Sequence, residues 1–241
     1  FNTASDCFQP HPAVLDVTYR SMRVVLENGM SLSFLTKGEI PSRFFDLFRQ
    51  WPGQVMAQIG LVSLSDAYRQ QFEPGATPSA RRLDNIRGLS DVGIVPTVRV
   101  DPIIPFVTDT EEEIEQLMDT LRDLGVTRIS LNYLHLRPAI AQQLEKELAP
   151  RYREVICTCF QNQPWTEVGT ATKTKLIPQP LRERGYGRIA ATAQASGIEA
   201  VICSCKNPDL KGGICLPERI TARRAVRSGD GEGRQLTLFP C

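Results

Sequence analysis

Between residues 31 and 148 the hydrophobic period switches repeatedly from two to 3.6, and this alternation limits the fold more than any other feature. Residues 31–36 (SLSFLT) read as a strand. Residues 41–51 read as a helix, with Ser42 in its cap region and Phe44, Leu47 and Phe48 on one face. Residues 55–64 read as a buried strand. Residues 77–89 are expected to form a helix with Thr77 as N-cap and Pro78 in the first turn. Gly93 ends that element, residues 94–100 form the next strand, and residues 108–124 the next helix. The helix opens Thr110-Glu111-Glu112-Glu113, which sets acids at the positive end of its dipole. Gly125 closes it, residues 128–133 are a strand, and residues 138–148 a helix.

Strand–helix units of about 30–35 residues force parallel strands joined by right-handed crossovers. An α/β architecture follows, either an open doubly wound sheet or a parallel β/α barrel. Both bind ligands at the carboxyl ends of their strands. Those ends carry Asn2, Ser5 and Asp6, then Lys37, then Ser63, Ser65 and Asp66, then Arg99 and Asp101, then Asn132. No GxGxxG, GxxxxGK[ST] or GxSxG motif occurs, so the common nucleotide-binding and hydrolase readings lack support. The two histidines, His11 and His135, stand in no pattern that marks a base.

Composition excludes a chain-wide field. Lys and Arg total 28 against 27 Asp and Glu, so a general nucleic-acid or membrane attraction is not expected, although a local basic patch is allowed. No run approaches the roughly 20 apolar residues of a membrane helix. The opening FNTASDCFQP has neither a basic n-region nor an apolar core, and a cytoplasmic location is expected.

After about residue 151 the character changes. We expect a partial barrel over residues 1–150, a Cys-rich C-terminal region over 151–218 and a flexible tail over 219–241. Five of the seven cysteines fall in the middle region, and an odd count without a secretory signal favours metal or redox chemistry over a disulfide framework. Cys203, Cys205 and Cys215 lie within 13 residues, in a loop with Asn207-Pro208 and Gly212-Gly213. Cys-x-Cys brings two sulfurs together, and the Gly pair lets the backbone return with the third. Thiolates select zinc or iron–sulfur clusters. The irregular spacing favours iron–sulfur over a zinc-finger pattern, with Cys159, Cys157 or Cys241 as fourth ligand; buried structural thiols are the other reading. The tail Gln235-Leu236-Thr237-Leu238-Phe239 follows a basic, Gly-rich linker and has the form of a peptide that docks into an apolar groove, or of a tail packed on its own domain.

Four motifs in chain order carry a family resemblance. They are Thr3-Ala4-Ser5-Asp6 with Gln9-Pro10; Phe34-Leu35-Thr36-Lys37; Ser65-Asp66 followed by Phe72-Glu73-Pro74-Gly75-Ala76-Thr77-Pro78 and Arg82; and Val100-Asp101-Pro102-Ile103. Over about 60% of its length the chain resembles the spore photoproduct lyase-like, or DNA repair photolyase-like, group of radical S-adenosylmethionine enzymes. The resemblance implies a partial β/α barrel and a lyase-like radical enzyme working through hydrogen abstraction by a 5′-deoxyadenosyl radical. It also implies S-adenosylmethionine and a [4Fe–4S] cluster as cofactors. Ser5 would lie near the amino group or ribose of the cofactor, Lys37 would pair with its carboxylate, and Ser63 or Ser65 would contact its ribose. Asp6 and Arg82 join the same cofactor-binding set.

Two departures accompany the resemblance. The Cys-x3-Cys-x2-Cys loop of the family is absent, and its usual place precedes residue 1, so the catalytic cluster ligands are expected upstream of Phe1. Without them this chain alone would be an inactive fragment. The hydrogen-donating cysteine of spore photoproduct lyases maps to Thr3; Cys7, two residues past Ser5, is the substitute candidate. The Cys203, Cys205 and Cys215 loop resembles the auxiliary-cluster motif of some relatives. QLTLF resembles the pentapeptide that docks on the bacterial β sliding clamp. The implied function is DNA repair on nucleic acid, with a peptide- or small-molecule-directed radical enzyme, or a cluster-bearing adaptor or split subunit, as the alternatives.

Overall fold

The computed structural model describes residues 5–168 and 173–214. Five parallel strands form its sheet: β1 (Leu32–Thr36), β2 (Val55–Gly60), β3 (Thr97–Ile103), β4 (Arg128–Tyr133) and β7 (Glu199–Ile202). The sheet order follows the chain order. A doubly wound sheet reverses its order at a switch point. This one does not, which decides the question left open by periodicity in favour of a partial barrel that is not closed.

The helices wrap the sheet. They are α1 (Pro12–Glu27), α2 (Ser42–Phe48), α3 (Asp66–Phe72), α4 (Ser79–Asp91), α5 (Glu111–Asp123), α6 (Pro138–Glu147), α7 (Pro150–Phe160) and α8 (Gln179–Ala195). A two-stranded antiparallel ribbon, β5 (Thr166–Glu167) with β6 (Lys173–Thr174), sits apart from the main sheet. No helix among the described residues is long and apolar enough to cross a membrane.

Local chemistry explains most of these elements. In α5 the Thr110 hydroxyl accepts from the Glu113 N–H, and Ile114, Leu117, Met118 and Leu121 are buried at i, i+3, i+4 and i+7. Gly125, at φ 71°, then reverses the chain in a conformation that favours glycine, and Val126 N–H returns to the Leu121 carbonyl. Strand β1 alternates buried and half-buried residues, and Phe34 packs among Phe8, Phe44 and Phe48 beneath it.

Several expectations need correction. The 77–89 helix starts at Ser79 with Pro78 as its cap residue, not Thr77. The Pro78 carbonyl accepts from Arg81 and Arg82, while the Thr77 carbonyl is taken by the Arg82 side chain. The 41–51 helix ends at Phe48, with Pro41 as its cap, because Trp51-Pro52 begins a short 3-10 turn. The strand expected over 94–100 runs from Thr97 to Ile103. The sheet also continues past residue 150, since β7 pairs in parallel with β4.

Candidate functional site at the strand ends

The carboxyl end of β1 is held by one carboxylate. Asp6 accepts from the Thr36 hydroxyl and from the N–H groups of Phe8, Lys37 and Gly38. This clasp fixes the backbone from which the Lys37 side chain departs. The side chain then crosses the end of β2, where a Cβ on Gly60 would stand 2.7 Å from Lys37 Cγ, so Gly60 leaves the room it needs. Its ammonium donates to Glu73 Oε1. Arg82, almost fully buried, donates to Glu73 Oε2 at 2.7 Å, to the Gly60 carbonyl at 3.0 Å and to the Thr77 carbonyl at 2.9 Å. Burial alone would raise the Glu73 carboxyl, but Lys37 and Arg82 outweigh it and hold it below its ordinary value. Arg82 therefore acts by positioning Glu73 and the end of β2. Lys37, Tyr68, Phe72, Glu73, Pro102 and Leu144 are among the residues that line a cavity of about 240 Å³ here.

The serines are engaged as well. Ser63 donates to Glu113 Oε2 at 2.7 Å and accepts from the Ser65 N–H at 3.0 Å. Ser65 caps α3, its hydroxyl oxygen accepting from the Tyr68 N–H. Ser5 is exposed. Cys7 turns into the apolar core instead, and its residue is not among those lining the strand-end cavities described here. Burial, and then the adjacent Asp6 charge, push its thiol up to about 12, so it stays an S–H group at neutral pH.

A second cavity, of about 400 Å³, opens at the ends of β3 and β4, bounded by Asp101, Asn132, His135, Arg137, Cys205 and Lys206 among others. Asp101 accepts from Arg99 and Lys206, each at 2.7 Å, and from Asn132 at 3.2 Å. Burial opposes its ionisation, yet Lys206 and Arg99 hold the carboxyl down at about 2. Burial, and then the Lys206 ammonium, push the His135 imidazole down to about 4, so it is neutral at pH 7.

From Asn132 the polar chain runs on to the cysteine loop. Asn207 donates to Asn132 Oδ1 at 3.2 Å and to the Cys203 carbonyl at 3.0 Å, and it accepts from Arg182 and the Tyr186 hydroxyl. Arg182 also forks onto Asp209. Periodicity missed Arg182, Asn207 and Lys206. Asn207-Pro208 inside the cysteine loop was the one available signal.

The cysteine loop folds back as its Gly pair implies. Gly213 bridges Cys203 in parallel, donating to the Ile202 carbonyl at 2.9 Å and accepting from the Ser204 N–H at 3.1 Å. A Cβ on Gly212 would stand 2.6 Å from the Ile202 carbonyl oxygen, so only glycine allows this approach. The sulfurs of Cys203 and Cys205 lie 2.8 Å apart. Cys157 is exposed on α7, and burial raises the half-buried Cys159 thiol beside it. Among the described residues no three metal-ligating side chains gather. Cys215, Cys241 and the 235–239 motif lie outside the described residues.

No family model matches the chain. The fold is similar to that of solved radical S-adenosylmethionine enzymes. Among these, the chain is similar to spore photoproduct lyase. It superposes on a mutant of spore photoproduct lyase with dinucleoside spore photoproduct at TM-score 0.64 and 14% identity, over 83% of this chain and 59% of that one. A domain of pyruvate-formate lyase-activating enzyme from Bacteroides vulgatus aligns at TM-score 0.51 and 14% identity, over 81% of this chain and 96% of that one. In sequence, the radical SAM Nα-GlyT isomerase of Pseudomonas phage M6 is 24% identical over 208 residues, 84% of this chain and 42% of that protein. The chain spans less than half the length of the curated relatives it matches.

Proposed function

We propose that this chain is the barrel portion of a radical S-adenosylmethionine enzyme that acts on nucleic acid, in DNA repair. One observation carries the cofactor assignment: the Lys37 ammonium stands at the mouth of a strand-end cavity and already binds a carboxylate, that of Glu73. A cofactor that bears a carboxylate beside a flat, partly apolar body fits there. Lys37 would receive its carboxylate. Ser65, whose oxygen accepts from the Tyr68 backbone N–H, is proposed as the ribose contact through its hydroxyl proton, from just outside the lining of that cavity. Pro102, Ile104 and Leu134 give an apolar wall. When bound and paired with its catalytic cluster, the cofactor supplies hydrogen abstraction through a 5′-deoxyadenosyl radical.

The substrate reading draws on the second cavity. Arg137 and Lys206 offer cationic donors and Asn132 adds an amide to the same lining, a set suited to a phosphodiester and the polar edges of a base. The dinucleoside bound by spore photoproduct lyase supports the same class. Cys7 is kept as the proposed hydrogen donor on the strength of its protonated thiol, although it lies in the core and would have to turn toward the cavity to donate. Cys203, Cys205 and Cys215, with Cys159, Cys157 or Cys241, are proposed to hold an auxiliary cluster. The tail motif at 235–239 is proposed to dock on the β sliding clamp of a bacterial cytoplasm.

Titration calorimetry of S-adenosylmethionine against the full chain tests the cofactor site. Lys37→Ala should weaken binding about tenfold or more, since a charge-assisted bond contributes about 1.5–3 kcal/mol. Unchanged affinity refutes the assignment. Arg137→Ala should weaken binding of a short DNA oligonucleotide while leaving cofactor affinity intact. A wild-type chain that ignores DNA and binds a peptide instead would favour the peptide-directed alternative.

A further inference from the structure

The Tyr68 hydroxyl is buried and has no hydrogen-bond partner among the described residues. Its ring is fixed by stacking on Phe72, with centroids 5.2 Å apart. It lines the same cavity as Lys37 and Glu73. A buried donor left without an acceptor is costly, and native structures rarely keep one without a reason.

Glu73 supplies the reason. One of its oxygens is taken by Arg82 and the other by Lys37. Arg82 is locked in place by two backbone carbonyls besides Glu73, whereas Lys37 has one-third of its side chain exposed and can leave. Once Lys37 turns to a carboxylate-bearing ligand, Glu73 Oε1 becomes an unpaired anion in a buried place. Two orphans, one donor and one acceptor, then sit on residues that line the same cavity.

We infer that Tyr68 is a positioning residue: when Lys37 leaves Glu73 for the ligand carboxylate, the Tyr68 hydroxyl takes its place on Glu73 Oε1. The exchange rests on the reading of Lys37 given above. It moves no proton. Burial, and then the Glu73 charge itself, push the phenol well above its ordinary value, so it remains a donor throughout. The hydroxyl thus lowers the cost of freeing Lys37, and it does nothing for the unliganded chain.

A thermal-stability cycle on the full chain, with no ligand present, tests this. Tyr68→Phe keeps the stacked ring and removes only the oxygen. In the wild-type background it should leave Tm within about 1 °C or raise it. In a Lys37→Met background, where Oε1 is already unpaired, the same substitution should lower Tm by roughly 5 °C. Equal shifts in the two backgrounds would overturn the exchange. Titration with S-adenosylmethionine is the second readout: Tyr68→Phe should bind about fivefold to tenfold more weakly with Tm retained. Equal affinity there overturns the inference and spares the Lys37 assignment. A wild-type chain that does not bind the cofactor, beside a coupled stability cycle, overturns the cofactor reading and spares the exchange. If Lys37→Met does not fold, the titration decides alone, and absence of binding counts against both.

Discussion

Asp101 is one of the points at which the barrel holds the cysteine loop, and replacing it by Asn should show how strongly. Its side chain is 14% exposed and accepts from Arg99, Lys206 and Asn132. Its carboxyl sits at about 2 against an ordinary value of 3.8. The difference converts to about 2 kcal/mol of stability. Because the folded value is the lower one, this contribution is complete above the unfolded value and disappears as pH falls through the folded value, between about pH 4 and pH 2. Asn removes the charge and turns an N–H toward one of the two cations. Breaking a buried pair costs up to about 5 kcal/mol, but Lys206 is 37% exposed and water reclaims part of that. We expect a loss of about 2–3 kcal/mol at pH 7, or roughly 5–10 °C in Tm by circular dichroism. Asp101→Asn should also flatten the acid limb of the stability curve between pH 4 and 2. Amide exchange at Ser204 and Gly213 should quicken, since Lys206 anchors the loop they belong to. A Tm within about 2 °C of the wild type, or an unchanged acid limb, would refute the anchoring argument.

Three further predictions follow the same geometry. Gly185→Ala would drive a Cβ into the Tyr133 hydroxyl, which donates to Asp109, and should cost about 3 kcal/mol or more; Gly187→Ala meets open space and should stabilise α8 by up to about 1 kcal/mol, so thermal melts that move in the same direction would sink the argument. Anaerobically purified protein should carry iron and sulfide with absorbance near about 400 nm, and Cys203→Ala should lower both; zinc in their place would keep the site and change its metal. A peptide of residues 228–241 should bind purified β clamp with roughly micromolar affinity, and Ala at Leu238 and Phe239 should remove about 2 kcal/mol or more, whereas no binding by the wild-type peptide would remove the partner.

Much of the barrel was legible because its signals are local. Strand β4 falls on the expected residues 128–133, bounded upstream by the Gly125 stop. Helix α1 was overlooked although Pro12 opens it and Thr18, Met22 and Leu26 recur at i, i+4 and i+8 on its buried face. Lys37 stood out as a cation directly after an apolar strand. Its partner did not: Glu73 sits in the Phe72–Pro78 motif, but nothing local shows that its carboxylate returns across 36 residues to Lys37. Arg182 was hidden for the opposite reason. It sits among Arg184 and Arg188 in one helix, and only the tertiary fold buries one of the three while leaving the others at the surface.

The close approach of Gly212 and Gly213 to β7 also bears on how the molecule keeps to itself. A strand with only one sheet neighbour presents a row of polar groups that another chain can pair with, and such edges seed aggregation. Here the returning loop occupies the Ile202 carbonyl and the Ser204 N–H. The segment that gathers the thiols is therefore also a guard on the sheet's margin. Any loss of the loop, whether by oxidation of Cys203 and Cys205 or by a side chain at residue 212, would uncover that margin and expose the barrel to self-association.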